Sequence, residues 1–228
     1  MIGVIDFYEH PPKDYRDALF SGLICRAPIP FTLNEHPDRL RLDYYNPGKP
    51  SNCNYTLERT DPSSFDPTTD PSLRQLGYPS DEFILAVGCK FRPCVLISDP
   101  VSDTLYPPPN YQGFIVVPLY TIHDAAGNYK PRITYDMVLR AQAYQLNNLF
   151  YLPESKEFDL EESFARLDRM QFVRLEHVHP KPVMLTEKAT DLLRQWVWYY
   201  HGCPILDGAL EDYIEKAKAN LDSRLGST

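Results

Sequence analysis

The chain has 228 residues, 43% hydrophobic and 24% charged, a balance that excludes a disordered chain and allows one sizeable core. Its formal net charge of −8 weighs against tight, sequence-independent nucleic-acid binding over the whole surface, since phosphates attract basic faces; a local basic cleft stays compatible with it. The 22 prolines and 16 tyrosines predict many turns and extended segments, with amphipathic rings packed at edges.

The five cysteines (Cys25, Cys53, Cys89, Cys94 and Cys203) make no CxxC pair, and the spacing of Cys89 and Cys94 fits no zinc pattern. Reduced thiols, no metal and no cofactor are expected. Met1 to Asp6 shows no basic start and no long apolar run, and no stretch approaches the ~20 apolar residues of a membrane span. The expectation is a cytoplasmic protein with no membrane partner.

In chain order, Asp14 to Ser21 has the composition of a short helix, cut off by Pro28, Pro30 and Pro37. Arg39–Tyr45 alternates polar and apolar residues, and Tyr55–Arg59 does so more weakly, which predicts a half-exposed hairpin around Asn46-Pro-Gly48. Asp61 to Ser80 is rich in Pro, Ser, Thr and Asp and reads as a surface linker. Residues 1–78 are therefore read as an N-terminal extension with a hairpin and a Pro-rich linker.

Three apolar runs follow: Phe83–Val87, Phe91–Ser98 and Gly113–Thr121. Their density of Val, Ile and Phe leaves no free polar face, so they read as core strands. Gly88-Cys89-Lys90 is expected as a tight turn joining the first two, and Pro107-Pro-Pro109 stiffens the path to the third. Arg92 stands at the mouth of the second run. A charge there is either ion-paired, to Asp99 or Asp168, or exposed at a rim, because burying it alone is too costly.

Met137, Val138, Ala141 and Tyr144 recur at helical spacing after Thr134, a predicted N-cap. Leu149–Leu152 reads as a short strand. Ser163 to Asp168 is compatible with a helix, whereas Gln171–Val178 alternates like a half-buried strand. Thr186 caps a helix whose stripe is Leu185, Ala189, Leu192, Leu193, Trp196, Val197 and Tyr200, with Gly202 as its stop. From Pro204 a second amphipathic helix is predicted, with Leu206, Leu210, Tyr213, Ile214, Ala217 and Leu221 on one face. His177 and His179 share a strand face in this reading, with no third ligand marked, and Trp198 lies off the apolar stripe. Cys94 reads as an inert packing residue.

Three segments resemble the PemK/MazF family of toxins, over roughly residues 79–201. Phe91-Arg-Pro-Cys-Val-Leu-Ile-Ser98 resembles the family's Arg-Pro-x-x-Val-Leu-Ser strand, and Phe114-Ile-Val-Val-Pro-Leu-Tyr-Thr121 its Val-Val-Pro-x-Thr strand. Ser163-Phe-Ala-Arg-Leu-Asp168, followed by Gln171–Leu175, resembles the Arg-x-Asp segment and next strand of the Kid-like branch. The resemblance implies an α+β, mainly β fold: a small SH3-like β-barrel over 79–202, with the amphipathic helix of 203–228 packed beside it. It further implies a homodimer, an antitoxin-like protein partner, and metal-independent endoribonuclease activity on single-stranded RNA through the 2′-hydroxyl.

Carried over by position, Asp168 would be the base and Arg166 the acid or phosphate donor. Arg92 would bind the scissile phosphate with its paired donors, and Thr121 would supply a hydroxyl. His123, two residues beyond Thr121, and Lys90 before Arg92 join as substrate-binding candidates. The chain departs from the family in its short turn at Gly88–Phe91 and in Tyr120, which sits where Thr is expected. The alternative function is a catalytically inactive SH3-like barrel that binds a protein partner, to which an acidic, tyrosine-rich surface is suited.

Overall fold

A computed structural model describes residues 5–30, 38–44, 54–59, 85–86, 88–103, 111–204 and 208–225. Among them the fold is mainly β, with a curled antiparallel half-barrel sheet and three helices. The chain divides into two compact units, Ile29–Lys90 and a larger one built from Met1–Pro28 and Phe91–Thr228.

The smaller unit is a three-stranded antiparallel sheet of β3 (Asp38–Tyr44), β4 (Asn54–Arg59) and β5 (Leu85–Ala86), with β3 in the middle. The β3–β4 pairing, from Asp38 opposite Arg59 to Tyr44 opposite Asn54, is the hairpin expected from the alternation. Among the described residues the turn expected at Gly88-Cys89-Lys90 joins no hairpin. Leu85 and Ala86 pair instead with Arg39 and Asp38. Two successive apolar runs look alike in sequence whether they pair with each other or enter different sheets.

The larger unit is organised on one long strand, β8 (Tyr111–Thr121). Its first half pairs with β7 (Val101–Asp103) and β11 (Gln171–Arg174), and its second half with β6 (Cys89–Leu96) and β10 (Ser163–Arg166). A strand that changes partners along its length is what bends the sheet. The main path of the sheet is β1 (Tyr8–Glu9), β12 (His179–Leu185), β2 (Leu23–Pro30), β6, β8, β10 and β9 (Leu149–Leu152). Gly113 is required where the strands crowd, since a Cβ there would lie 2.4 Å from the Val173 carbonyl and 2.3 Å from the Phe172 ring.

Alternation along β8 divides the core in two. Val117 and Leu119, with Val95 and Ala165 from its neighbours, face a cluster that includes Phe150 and Trp196. Ile122 and Phe164 belong to a second cluster, closed by Val138 and Ala141 of α1 (Tyr135–Gln142). With helices on both sides, the strands need no polar face, which is why they read as unbroken apolar runs.

Helix α2 (Glu187–Tyr200) begins where Thr186 accepts the Ala189 N–H and ends before Gly202, whose φ is +83°. Ala189, Leu192, Leu193, Trp196 and Val197 are all buried, as the stripe predicted. Helix α3 (Gly208–Leu225) buries Ile214, while the expected positions Leu206, Leu210 and Leu221 lie outside the described residues or side chains.

Three local expectations are corrected. Asp14 to Ser21 forms turns rather than a helix, held by bonds such as the Asp17 N–H to the Asp14 carbonyl at 2.8 Å. The strand at Gln171 stops at Arg174 and gives way to a 3-10 turn over Leu175–His177. Ser163–Arg166 is a strand and Leu167–Arg169 a 3-10 turn, so no helix forms there. In each case local propensity was overridden by pairing with a neighbouring strand or by a missing partner. No helix among the described residues is long and apolar enough to cross a membrane.

Candidate functional site

Three adjacent strands, β6, β8 and β10, bring Arg92, Tyr120 and Arg166 onto one face. Cys94 lies opposite Pro118, so two residues further the same register sets Arg92 beside Tyr120. Phe164 lies opposite Tyr120, which makes Arg166 its diagonal neighbour. Both guanidiniums rest on the Tyr120 ring, Arg92 with its central carbon 4.4 Å from the centroid and Arg166 at 5.4 Å. Cations within ~6 Å of a ring face are held by its quadrupole. Tyr120 was not among the residues predicted for the site. The signal was there: positions 118 and 120 share a face with 92 and 94 once the strands are paired.

Asp168 sits in the 3-10 turn that follows β10. The Arg166 fork donates to both its oxygens, Nε to Oδ1 at 2.8 Å and Nη2 to Oδ2 at 2.5 Å. Arg169 adds a contact from Nε to Oδ2 at 3.5 Å. Partial burial pushes the carboxyl up, but the Arg166 hydrogen bond and the charges of Arg166 and Arg169 more than reverse that, so Asp168 stays below the usual carboxylate range. The same hydrogen bond raises the Arg166 guanidinium above its ordinary value. Arg92 has no such partner: among the described residues it makes no ion pair, and its Nε is buried without a hydrogen-bond acceptor. The expected pairing of Arg92 with Asp99 or Asp168 is absent there.

Two guanidiniums, Arg166 and Arg169, therefore contact one carboxylate, and a third, Arg92, shares the Tyr120 ring with Arg166, a local positive surplus on an acidic chain. This arrangement can hold a group carrying oxyanions and offers it planar, paired donors.

Thr121 lies apart from this cluster. It is one residue beyond Tyr120, so its side chain points to the other face of the strand. There it pairs across from Ser163, accepts a hydrogen bond from the Lys130 ammonium, and lines a cavity of about 220 Å³. His123 lies beyond the end of β8. Its ring stacks on Tyr129 at 4.8 Å, and its Nδ1 is 3.4 Å from Glu162, which also accepts the Tyr151 hydroxyl at 2.5 Å. Burial, then the Glu162 contact, drives the Tyr151 phenol upward, so it stays protonated and donates. Lys90 is exposed and belongs to the smaller unit.

Of the remaining candidates, His177 meets Glu176 at 3.5 Å and His179 meets the Phe91 ring edge-on at 5.2 Å. Among the described residues no group of His, Cys, Asp and Glu is arranged to hold a metal. Trp198 is 54% exposed on the outer side of α2, and Trp196 is buried. Comparison of the chain with protein-family models, with curated proteins and with solved structures finds no match. The resemblance to the toxin family thus rests on the three motifs alone.

Proposed function

We propose that the chain is a metal-independent endoribonuclease of the toxin-like class. In this reading it engages one phosphodiester of single-stranded RNA at Arg92, Tyr120 and Arg166, with Asp168 as the base. An SH3-like barrel identity, a homodimer, an antitoxin-like protein partner and a cytoplasmic location belong to the same proposal. The observation that carries it is the pair of guanidiniums, Arg92 and Arg166, on the Tyr120 ring, with Asp168 held by Arg166 and Arg169 and the buried Nε of Arg92 left without an acceptor.

The chemistry follows from those groups. The 2′-hydroxyl attacks phosphorus and gives its proton to the Asp168 carboxylate, which is unprotonated at neutral pH. The bond from phosphorus to the 5′ oxygen breaks, leaving a 2′,3′-cyclic phosphate, and the 5′ oxygen takes its proton from water. Arg92 and Arg166 donate to the phosphorane oxygens, where charge develops. Arg166 is a donor rather than a proton source, since its guanidinium stays protonated throughout. Tyr120 holds both cations against its ring.

The test is cleavage of a fluorescent single-stranded RNA in excess EDTA, with a strand carrying one 2′-deoxy position as control. Arg92→Ala should lose roughly 10²–10³-fold in rate, the cost of one donor to a developing oxyanion. Asp168→Asn should lose roughly 10²–10⁴-fold. Wild-type protein that neither cuts nor binds the RNA overturns the reading.

A second reading, the inactive barrel that binds a protein, is favoured by two facts. The Arg166 fork is closed on Asp168, and Thr121 sits on the other side of the strand. Wild-type protein that leaves the RNA both intact and unbound, with no cyclic-phosphate product, is the result this second reading expects.

A further inference from the structure

Cys25 on β2 and Cys94 on β6 stand on neighbouring strands of the larger unit, both fully buried, with their sulfurs 3.3 Å apart. Alternation explains the meeting. Ile24 and Val95, one residue away on each strand, turn into the Trp196 cluster, so Cys25 and Cys94 both turn to the opposite face. Neighbouring strands run ~4.8 Å apart, inside the ~4.4–6.8 Å between Cα atoms that a disulfide spans. Closing the sulfurs to a bond of ~2.05 Å moves each of them by roughly 0.6 Å.

The surroundings narrow what the pair can do. Among the described residues no third Cys, His, Asp or Glu completes a metal site with it. The hydrogen bond between the two sulfurs, and then burial, push the Cys94 thiol well up, so in the folded chain it is a poor nucleophile. Exchange at this pair therefore belongs to the folding chain, before the sheet closes over it.

Placement along the chain gives the pair its consequence. The chain leaves the larger unit after Pro28 and returns to it at Phe91, and all of Ile29–Lys90 forms the smaller unit. Cys25 stands three residues before the exit and Cys94 three after the return. A bond between these residues, 69 positions apart, closes a ring around the entire smaller unit. We propose that Cys25 and Cys94 form a redox staple, a disulfide set when the folding chain meets a small disulfide oxidant such as glutathione disulfide. One cysteine attacks the oxidant and releases one glutathione thiol; the other attacks the mixed disulfide and releases the second. The pair gives up two electrons and two protons, and both end on the glutathione thiols. Burial then shields the bond from reductants as it shields the thiols. Protein made in reductant keeps both thiols, as in this structure. The staple stands independently of the RNA reading.

The experiment unfolds the full chain in urea and refolds it in equimolar reduced and oxidised glutathione. It uses the wild type and a Cys53→Ser/Cys89→Ser/Cys203→Ser variant that leaves only this pair. The refolded variant should take up no maleimide in urea, and its mass should lie two hydrogens below that of its reduced form. It should also melt roughly 5–15 °C above that form, the effect of tying a long loop in the unfolded chain. Wild-type protein digested without reductant should yield the peptides of Cys25 and Cys94 joined, a readout that holds even where the variant folds poorly. Two maleimides taken up after refolding, a retained glutathione adduct, or a wild-type cross-link from Cys25 or Cys94 to another cysteine overturns the proposal. So does an oxidised form that melts no higher than the reduced one.

Discussion

Replacing Trp196 by Phe tests how the site face is anchored. Trp196 is 2% exposed, and its Nε1–H donates to the Leu149 carbonyl at 3.0 Å. Leu149 lies opposite Arg166 in the β9–β10 register, so this bond pins α2 behind the strand that carries the arginine. Phe keeps most of the edge-on contact with Tyr144 and the stack on Tyr199, at 5.1 and 5.0 Å, but leaves the Leu149 oxygen buried without a donor. An unsatisfied buried acceptor costs ~1–3 kcal/mol, and partial loss of the ring contacts adds ~0.5–1 kcal/mol. A total near ~2–3 kcal/mol should lower the melting temperature by roughly 5–10 °C for a unit of this size. Urea unfolding followed by far-UV circular dichroism reads the change as a lower midpoint at constant slope. A destabilisation under ~0.5 kcal/mol would refute the claim that the bond fixes β9 to the helix.

Gly113→Ala should destabilise the larger unit by ~1–3 kcal/mol, because the added carbon meets the Val173 carbonyl at 2.4 Å and one strand must shift; thermal melts check it. In native protein, Cys89 and Cys203 should alkylate with iodoacetamide within minutes, whereas Cys25 and Cys94 should react only on unfolding. Those two are buried with sulfurs 3.3 Å apart, and the contact with Cys25, together with burial, pushes the Cys94 thiol well up; peptide mass mapping reports the order. Asp168 has its folded pKa depressed, so its pairing stabilises fully above the unfolded value of ~3.9 and fades as pH falls through the folded one. With the pair about a quarter exposed, the wild type should exceed Asp168→Asn by only ~0.5–1 kcal/mol at pH 7, and the gap should shrink in urea titrations as pH falls below the ordinary carboxylate range.

How far the sequence reveals this molecule depends on the range of the interaction. The α2 stripe and the Thr186 cap were legible because helix periodicity and capping are decided within one turn of the chain. The β3–β4 hairpin was legible for the same reason. The partner of Leu85–Ala86 was not, because strand pairing is set by contacts far along the chain. The segment Ser163–Asp168 misled in a similar way: its charges fit a helix face, but pairing with Leu149–Leu152 and Leu119–Thr121 makes its first part a strand.

The site shows the same limit at the scale of one residue. Arg92, Arg166 and Asp168 could be nominated from motif order; the two arginines meet on a ring that no motif marked, and Asp168 is held by Arg166. Thr121 could be nominated too, yet alternation sends it through the sheet, because a shift of one residue along a strand changes the face. Tyr120 occupies the position facing the arginines, and its ring does there what a hydroxyl alone could not: it holds two cations side by side at 4.4 and 5.4 Å. On a chain with a net charge of −8, that ring gives Arg92, which makes no ion pair among the described residues, an attraction that offsets repulsion from Arg166, itself paired with Asp168.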